Sequence, residues 1–126
     1  MILKENRVGT AMLANPAADE SETDFEKMVV AYAQSLGWHV MAVRRNVCVQ
    51  RRNSGETYNV TPWLYDGDGW LDLTLVRDRL IVIELKSEKG RLRPDQVSWL
   101  SRLDTAKVEH YVFRPSDLEE IERVLT

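Results

Sequence analysis

Two carboxylates and one amine, Asp72, Glu84 and Lys86, stand inside the stretches Gly69-Trp70-Leu71-Asp72 and Ile83-Glu84-Leu85-Lys86. Acids set in apolar, β-forming sequence are costly to bury unless a counter-charge or a metal meets them. The flanking residues predict a hairpin, with strands Trp70–Val76 and Leu80–Lys86 broken by the charged turn Arg77-Asp78-Arg79. A three-residue loop centred on Asp78 pairs Val76 with Leu80, and counting outward sets Asp72 across from Glu84. Residues two apart on a strand share a face, so Asp72, Glu84 and Lys86 point to one side. Opposite Cβ atoms lie about 4.5–5.5 Å apart. Both carboxylates then reach one cation at roughly 2.0–2.1 Å, the Mg²⁺ ligand distance. The same spacing also suits a plainer arrangement, an Asp72–Lys86 or Glu84–Lys86 ion pair at a sheet edge.

The opposite face of the hairpin tests the register. It carries Leu71, Leu73 and Leu75 on one strand and Ile81, Ile83 and Leu85 on the other, all apolar. A two-residue turn would pair Asp72 with Leu85 and mix charge into that face. With Thr74, Val76, Leu80 and Val82 beside the acids, the hairpin reads as a strand pair covered on both sides.

Asp72, then Glu84-Leu85-Lys86 on the next strand, resembles the PD-(D/E)XK nuclease signature. The run Gly90-Arg91-Leu92-Arg93-Pro94-Asp95-Gln96 into Trp99-Leu100 is similar to its virus-type replication-repair branch, the VRR-NUC domain; the likeness covers roughly Thr23 to Arg114. Leu71 stands where the name-giving proline of that family usually sits, a position that is not a ligand. The resemblance implies a restriction-endonuclease-like αβββαβ core and a third metal ligand in the Leu85 backbone carbonyl. It also implies that Gln96 serves Lys86 or a phosphate, where the plainer reading has it cap a neighbouring loop, and that a first-helix glutamate, Glu26 here, faces the metal site. Stand-alone domains of this type resemble homodimeric, structure-selective endonucleases, including resolvases of four-way DNA junctions. Two active sites on a two-fold dimer suit two symmetric cuts.

Phosphodiester hydrolysis requires charge neutralised on the scissile phosphate and a water made nucleophilic, and a divalent cation does both. Asp72 and Glu84 are the expected ligands. An oxygen-only set suits Mg²⁺ or Mn²⁺, whereas zinc would draw on His or Cys, which the stretch lacks. Lys86 lies about 6–7 Å from Glu84 along the strand, placed to orient or deprotonate the attacking water or to offset transition-state charge. His39 and His110 are far apart and lack metal spacing, and the chain has no P-loop, dinucleotide-binding fingerprint or G-x-S-x-G elbow. No small-molecule cofactor is expected.

At 126 residues the chain fits one domain, expected over residues 21–126 behind a flexible arm, residues 1–20. No apolar run reaches the length of a membrane span and the start lacks a signal-peptide core, so a cytoplasmic protein is expected (host cytoplasm for a viral one). A single cysteine, Cys48, excludes an internal disulfide and reads as a small strand residue. The net charge is −3, unevenly spread: Arg44 to Arg93 holds ten Lys/Arg against seven Asp/Glu, and acids crowd Asp19–Glu26 and Asp117–Glu122. A basic middle with acidic ends suits a chain that meets phosphate on one side.

Thr23 with Glu26 three residues on has capping-box spacing for a first helix, competing with the metal-facing role of Glu26. Phe25, Val29, Tyr32 or Ala33, and Leu36 form its inner stripe, and Gly37 ends it. Trp38–Val43 follows as a strand. Arg44, Arg45, Arg51 and Arg52, with no acid between them, form either a phosphate-contacting strip or a charge-protected edge strand. Residues 53–69 read as a loop whose aromatics, Tyr58, Trp63 and Tyr65, close a core edge or stack on unpaired bases. Its Asp66-Gly67-Asp68-Gly69 run reads as tight turns, with Asp68 near enough to touch a second metal. Lys89, Arg91 and Arg93 make a short basic loop, and Pro94 opens a helix to about Ala106 whose inner stripe includes Val97, Leu100, Leu103 and Gln96, since 96, 100 and 103 share a face. Val108–Phe113 is a strand, and Ser116 caps a last helix.

The expected fold is therefore α/β, a mixed sheet flanked by helices in the order α-β-β-β-α-β-α. The leading functional expectation is a Mg²⁺-dependent endonuclease acting on branched DNA as a homodimer. The alternatives are a less selective phage nuclease or nickase, a non-catalytic nucleic-acid-binding module on the same scaffold, and a partner-binding domain whose acids form salt bridges.

Overall fold

A computed structural model describes residues 22–43, 48–60 and 65–126. The expected arm, residues 1–20, lies outside them, as do Arg44, Arg45 and Trp63. Helix α1, Glu22–Ser35, buries Phe25, Val29, Tyr32 and Ala33. Thr23 falls inside its first turn, so the Thr23/Glu26 spacing does not mark the cap. At the other end Gly37 adopts φ +89. The N–H groups of Gly37 and Trp38 close onto the carbonyls of Gln34 and Ala33 at 3.0 and 3.1 Å, the reverse turn that glycine permits after a helix.

Strands β1 (His39–Ala42), β4 (Leu73–Val76), β5 (Leu80–Leu85) and β6 (His110–Phe113) form one mixed sheet in the order β1-β4-β5-β6. The first two pairings are antiparallel and β5–β6 is parallel. A parallel pair needs a crossover, and helix α2, Pro94–Thr105, supplies it. A second hairpin, β2 (Cys48–Arg51) with β3 (Thr57–Val60), forms its own two-stranded sheet between β1 and β4 in sequence. Strand β3 lies within the stretch expected to be loop. The chain ends in a 3₁₀ turn, Pro115–Asp117, and helix α3, Leu118–Leu125. Ser116 sits within the 3₁₀ turn and is not a helix cap; its N–H and hydroxyl bond the Glu88 carboxylate instead.

Three layers result. Leu73, Leu75, Ile81, Ile83 and Leu85 pack with α1, Trp38, Phe113 and α3 in the main core. The other face is covered by α2 through a smaller cluster of Leu71, Val82 and Leu103, with Trp70, Trp99, Leu100 and Val108 around it; Val97, expected on the inner stripe, is instead half exposed, one residue out of phase with Gln96, Leu100 and Leu103. Leu71 thus joins the α2 side rather than the main apolar face, because the strand begins at Leu73 and the chain bends at Asp72. Every residue of β5 after Leu80 is buried, as expected of a central strand with both faces covered.

The hairpin turn ties the two helices of the main core to the sheet. Arg77 Nη1 donates to the carbonyls of Leu36 and Leu125 at 3.1 and 3.3 Å, and Arg79 Nη2 to that of Val124 at 2.7 Å. Cations at helix C-termini satisfy carbonyls that lack an intrahelical partner and oppose the negative end of the dipole.

Candidate functional site

Val76 pairs with Leu80 and Leu73 with Ile83 across the hairpin; the ladder ends there, and Asp72 lies at the bend just outside it. Val82 faces the α2 cluster, and Glu84 and Lys86, two and four residues further on, face the same way. Glu84 and Lys86 therefore lie on the α2 side of the sheet.

Glu84 is 2 % exposed, and its Oε2 receives two donors. The Gln96 side-chain nitrogen donates at 2.8 Å, and Lys86 Nζ lies 3.4 Å away. Lys86 is itself 8 % exposed and Gln96 5 %. The Glu84–Lys86 ion pair foreseen as the plainer arrangement is thus present, but in a central strand under a helix rather than at a sheet edge. A buried carboxylate is tolerable only with such partners.

Asp72, half-buried, accepts the Leu85 N–H on Oδ2 at 2.8 Å. A strand residue projects its N–H and C=O from the same edge, so the Leu85 carbonyl faces the Asp72 side. The Asp72 carboxylate thus lies against the backbone of the residue that follows Glu84. Among the described residues no group of three His, Cys, Asp or Glu side chains is placed to hold a metal, so neither Glu26 nor Asp68 makes a third acid with Asp72 and Glu84. Such a pair suits a hard cation that keeps several waters, as Mg²⁺ does.

Gln96 is positioned by its own helix. Its Oε1 accepts the Arg93 N–H at 3.0 Å, closing the first turn behind Pro94, and its nitrogen is left facing Glu84.

Glu26 is half-buried on α1. One turn earlier, Glu22 reaches the site's border, where its Oε1 accepts the Ser87 N–H at 3.3 Å. A Cβ on Gly90 would lie 3.5 Å from that oxygen, 3.5 Å from Lys86 Cδ and 2.9 Å from Ser87 Oγ, so glycine lets this loop close over the lysine. Arg114 Nη1 holds the same loop through the carbonyls of Ser87 and Gly90, at 2.6 and 2.7 Å. Neither Glu22 nor Arg114 was foreseen; the one available signal was the i, i+4 spacing of Glu22 and Glu26.

Of the expected phosphate contacts, Lys89, Arg91 and Arg93 are exposed on the segment between Lys86 and α2, with Arg93 paired to Asp95 at 3.2 Å. Arg51 ends β2, and Arg52 is exposed at the turn into β3. His39 and His110 lie in β1 and β6, opposite edges of the main sheet, and cannot act together. No helix among the described residues is long and apolar enough to cross a membrane.

Comparison with protein-family models, with curated proteins and with solved structures finds no match to this chain.

Proposed function

We propose that this chain is a divalent-metal-dependent endonuclease acting on DNA, with Asp72, Glu84 and Lys86 at its centre. The observation that carries the reading is the buried Glu84 carboxylate met by Lys86 and Gln96, with the Asp72 carboxylate on the N–H of the next residue, Leu85. The resemblance of these residues to the PD-(D/E)XK and VRR-NUC signatures supports it, and favours branched DNA as substrate and a homodimer as the working form.

Asp72, Glu84 and the Leu85 carbonyl would hold Mg²⁺ or Mn²⁺, which supplies charge neutralisation and a more acidic water at the scissile phosphate. Lys86 holds or takes the proton of the attacking water, or offsets charge on the phosphoryl oxygens. Gln96 fixes the Glu84 carboxylate while Glu22, Gly90 and Arg114 fix the loop behind Lys86. Lys89, Arg91 and Arg93 supply exposed cations beside the site for the DNA backbone.

One observation favours a second reading, a non-catalytic nucleic-acid-binding module: Glu84 is already met by Lys86 and Gln96, and Asp72 by the Leu85 N–H. Labelled four-way junction, flap, splayed and linear duplex DNA, incubated with Mg²⁺ or with EDTA, separates the two. Metal-dependent cuts lost in Asp72→Ala and Lys86→Ala, with DNA binding retained, are expected. Metal-independent binding without cleavage of any substrate would leave the binding module.

A further inference from the structure

We propose that a cleft on the outer side of α2 receives an unpaired nucleobase of DNA, stacked on Tyr65 and hydrogen-bonded to the Asp66 or Asp68 carboxylate. The inference rests on the nucleic-acid reading above and gives it a means of recognising single-stranded structure. The cleft, about 590 Å³, is open to solvent and runs from Tyr65 to Arg102. Its size lies within the range of small-molecule sites.

Its walls are fixed. The Trp99 indole N–H donates to the Asp68 carbonyl at 2.8 Å, and its ring meets Trp70 edge to face at 5.0 Å. The Arg102 guanidinium lies 5.2 Å from the centre of the Trp99 ring. Tyr65 stands at the rim, 98 % exposed, on backbone of φ +59. An aromatic ring wholly in water forgoes the burial that ordinarily holds such rings, and a non-glycine residue at positive φ is uncommon. Tyr65 offers a flat face to whatever enters.

The charges select among entrants. Asp95 is paired with Arg93, and the other charged groups of the wall are Asp66, Asp68 and Arg102. An anion meets two carboxylates; a cationic side chain is drawn by the same two acids against the one guanidinium, which makes an arginine-rich peptide the competing occupant in the test below. A flat neutral molecule carrying N–H donors suits both acids and the tyrosine face, and a nucleobase is such a molecule. Position agrees. Asp95 lines the cleft and the next residue, Gln96, bonds Glu84, so the cleft and the acid pair flank the same turn of α2. Gly69 packs against Asp95 on the chain segment that leads into Asp72.

Fluorescence anisotropy in EDTA tests this with a blunt duplex, the same duplex bearing a single-stranded extension, and one whose extension is abasic. The extension is expected to tighten binding by the full chain, and Tyr65→Ala to cancel that gain, about tenfold for one stacked base. Blunt-duplex affinity should not change, and the abasic extension should bind wild type as the normal one binds Tyr65→Ala. An equal loss on blunt duplex, or tight binding of the abasic strand, overturns the proposal. So does an arginine-rich peptide that binds only when Tyr65 is present, which would assign the cleft to a cationic partner. No cleavage is read, so the two ideas fail separately: Tyr65-dependent binding without Mg²⁺-dependent cutting removes the hydrolytic reading alone.

Discussion

The side chain of Gln96 joins the start of α2 to the buried carboxylate of Glu84, its oxygen accepting the Arg93 N–H at 3.0 Å and its nitrogen donating to Glu84 Oε2 at 2.8 Å. The helix start needs an acceptor and the carboxylate needs a donor. An amide supplies both, and the N–H of Arg93 dictates which end faces the acid.

Gln96→Leu removes both bonds and leaves Glu84 with fewer donors, so urea unfolding should show a loss of about 1–3 kcal/mol. Gln96→Glu separates the two roles. The new carboxylate can still cap the helix but places like charge beside Glu84, which favours protonation of one of the pair. Its deficit relative to wild type should therefore shrink as pH falls toward 4–5, roughly the carboxylate range. A deficit independent of pH would mean the cap alone matters.

Arg114 bridges the strand end at Phe113 to the Ser87–Gly90 loop by donating to the carbonyls of Ser87, Glu88 and Gly90. Arg114→Ala should cost about 1–3 kcal/mol, since a charged donor to two half-buried carbonyls is lost. The effect should be local first: amide exchange across residues 87–91 should accelerate before that of the β4–β5 pair. Uniform acceleration across the sheet would show that Arg114 supports the whole fold rather than this loop.

Gly69 adopts φ +86, and a Cβ there would sit 2.7 Å from the Asp95 backbone carbonyl carbon. Gly69→Ala adds left-handed strain and a backbone clash at once, with an expected cost of about 1–3 kcal/mol. Asp95→Gly relieves no backbone contact and should not rescue it. Gly55 has φ +94 but open space around it, so Gly55→Ala isolates the conformational part. Thermal midpoints of the two variants measure the difference, and equal shifts would remove the steric contribution.

What could be read in advance follows from the range of each interaction. The register of β4 on β5 was legible because alternating Leu and Ile residues leave one face wholly apolar, and a slip of one residue would ruin it. Gln96 was legible as inward-facing from its phase with Leu100 and Leu103. Strand β3 was not, since Thr57–Val60 carries a polar Asn59 and pairs only with β2. Arg77 and Arg79 read only as part of a charged turn, yet they bind carbonyls 41 to 48 residues away in sequence. Glu22 and Arg114 likewise act on a loop at long sequence separation, where periodicity carries no signal.

On the far side of the sheet the Tyr111 hydroxyl donates to Glu109 Oε2 at 2.6 Å, and Arg79 holds the other oxygen at 2.8 Å. Burial, and then the adjacent carboxylate, push the Tyr111 phenol up to about 12 from its ordinary 10.0. The folded chain thus keeps a proton that the unfolded chain releases near pH 10. The resulting stabilisation is complete below pH 10 and declines as pH rises toward 12. Tyr111→Phe keeps the ring stacked on Phe113, 5.1 Å away, but has no proton to hold. Wild type should therefore be the more stable near neutrality, by about 1 kcal/mol for one hydrogen bond. The gap should close and then reverse between pH 10 and 12 in parallel urea titrations, because raising the phenol from 10.0 to about 12 is worth more than the difference near neutrality. The Tyr32 phenol, also pushed up by burial, titrates in both proteins and cancels from the comparison. A gap that stays constant through that range would show that Tyr111 does not titrate differently in the folded chain.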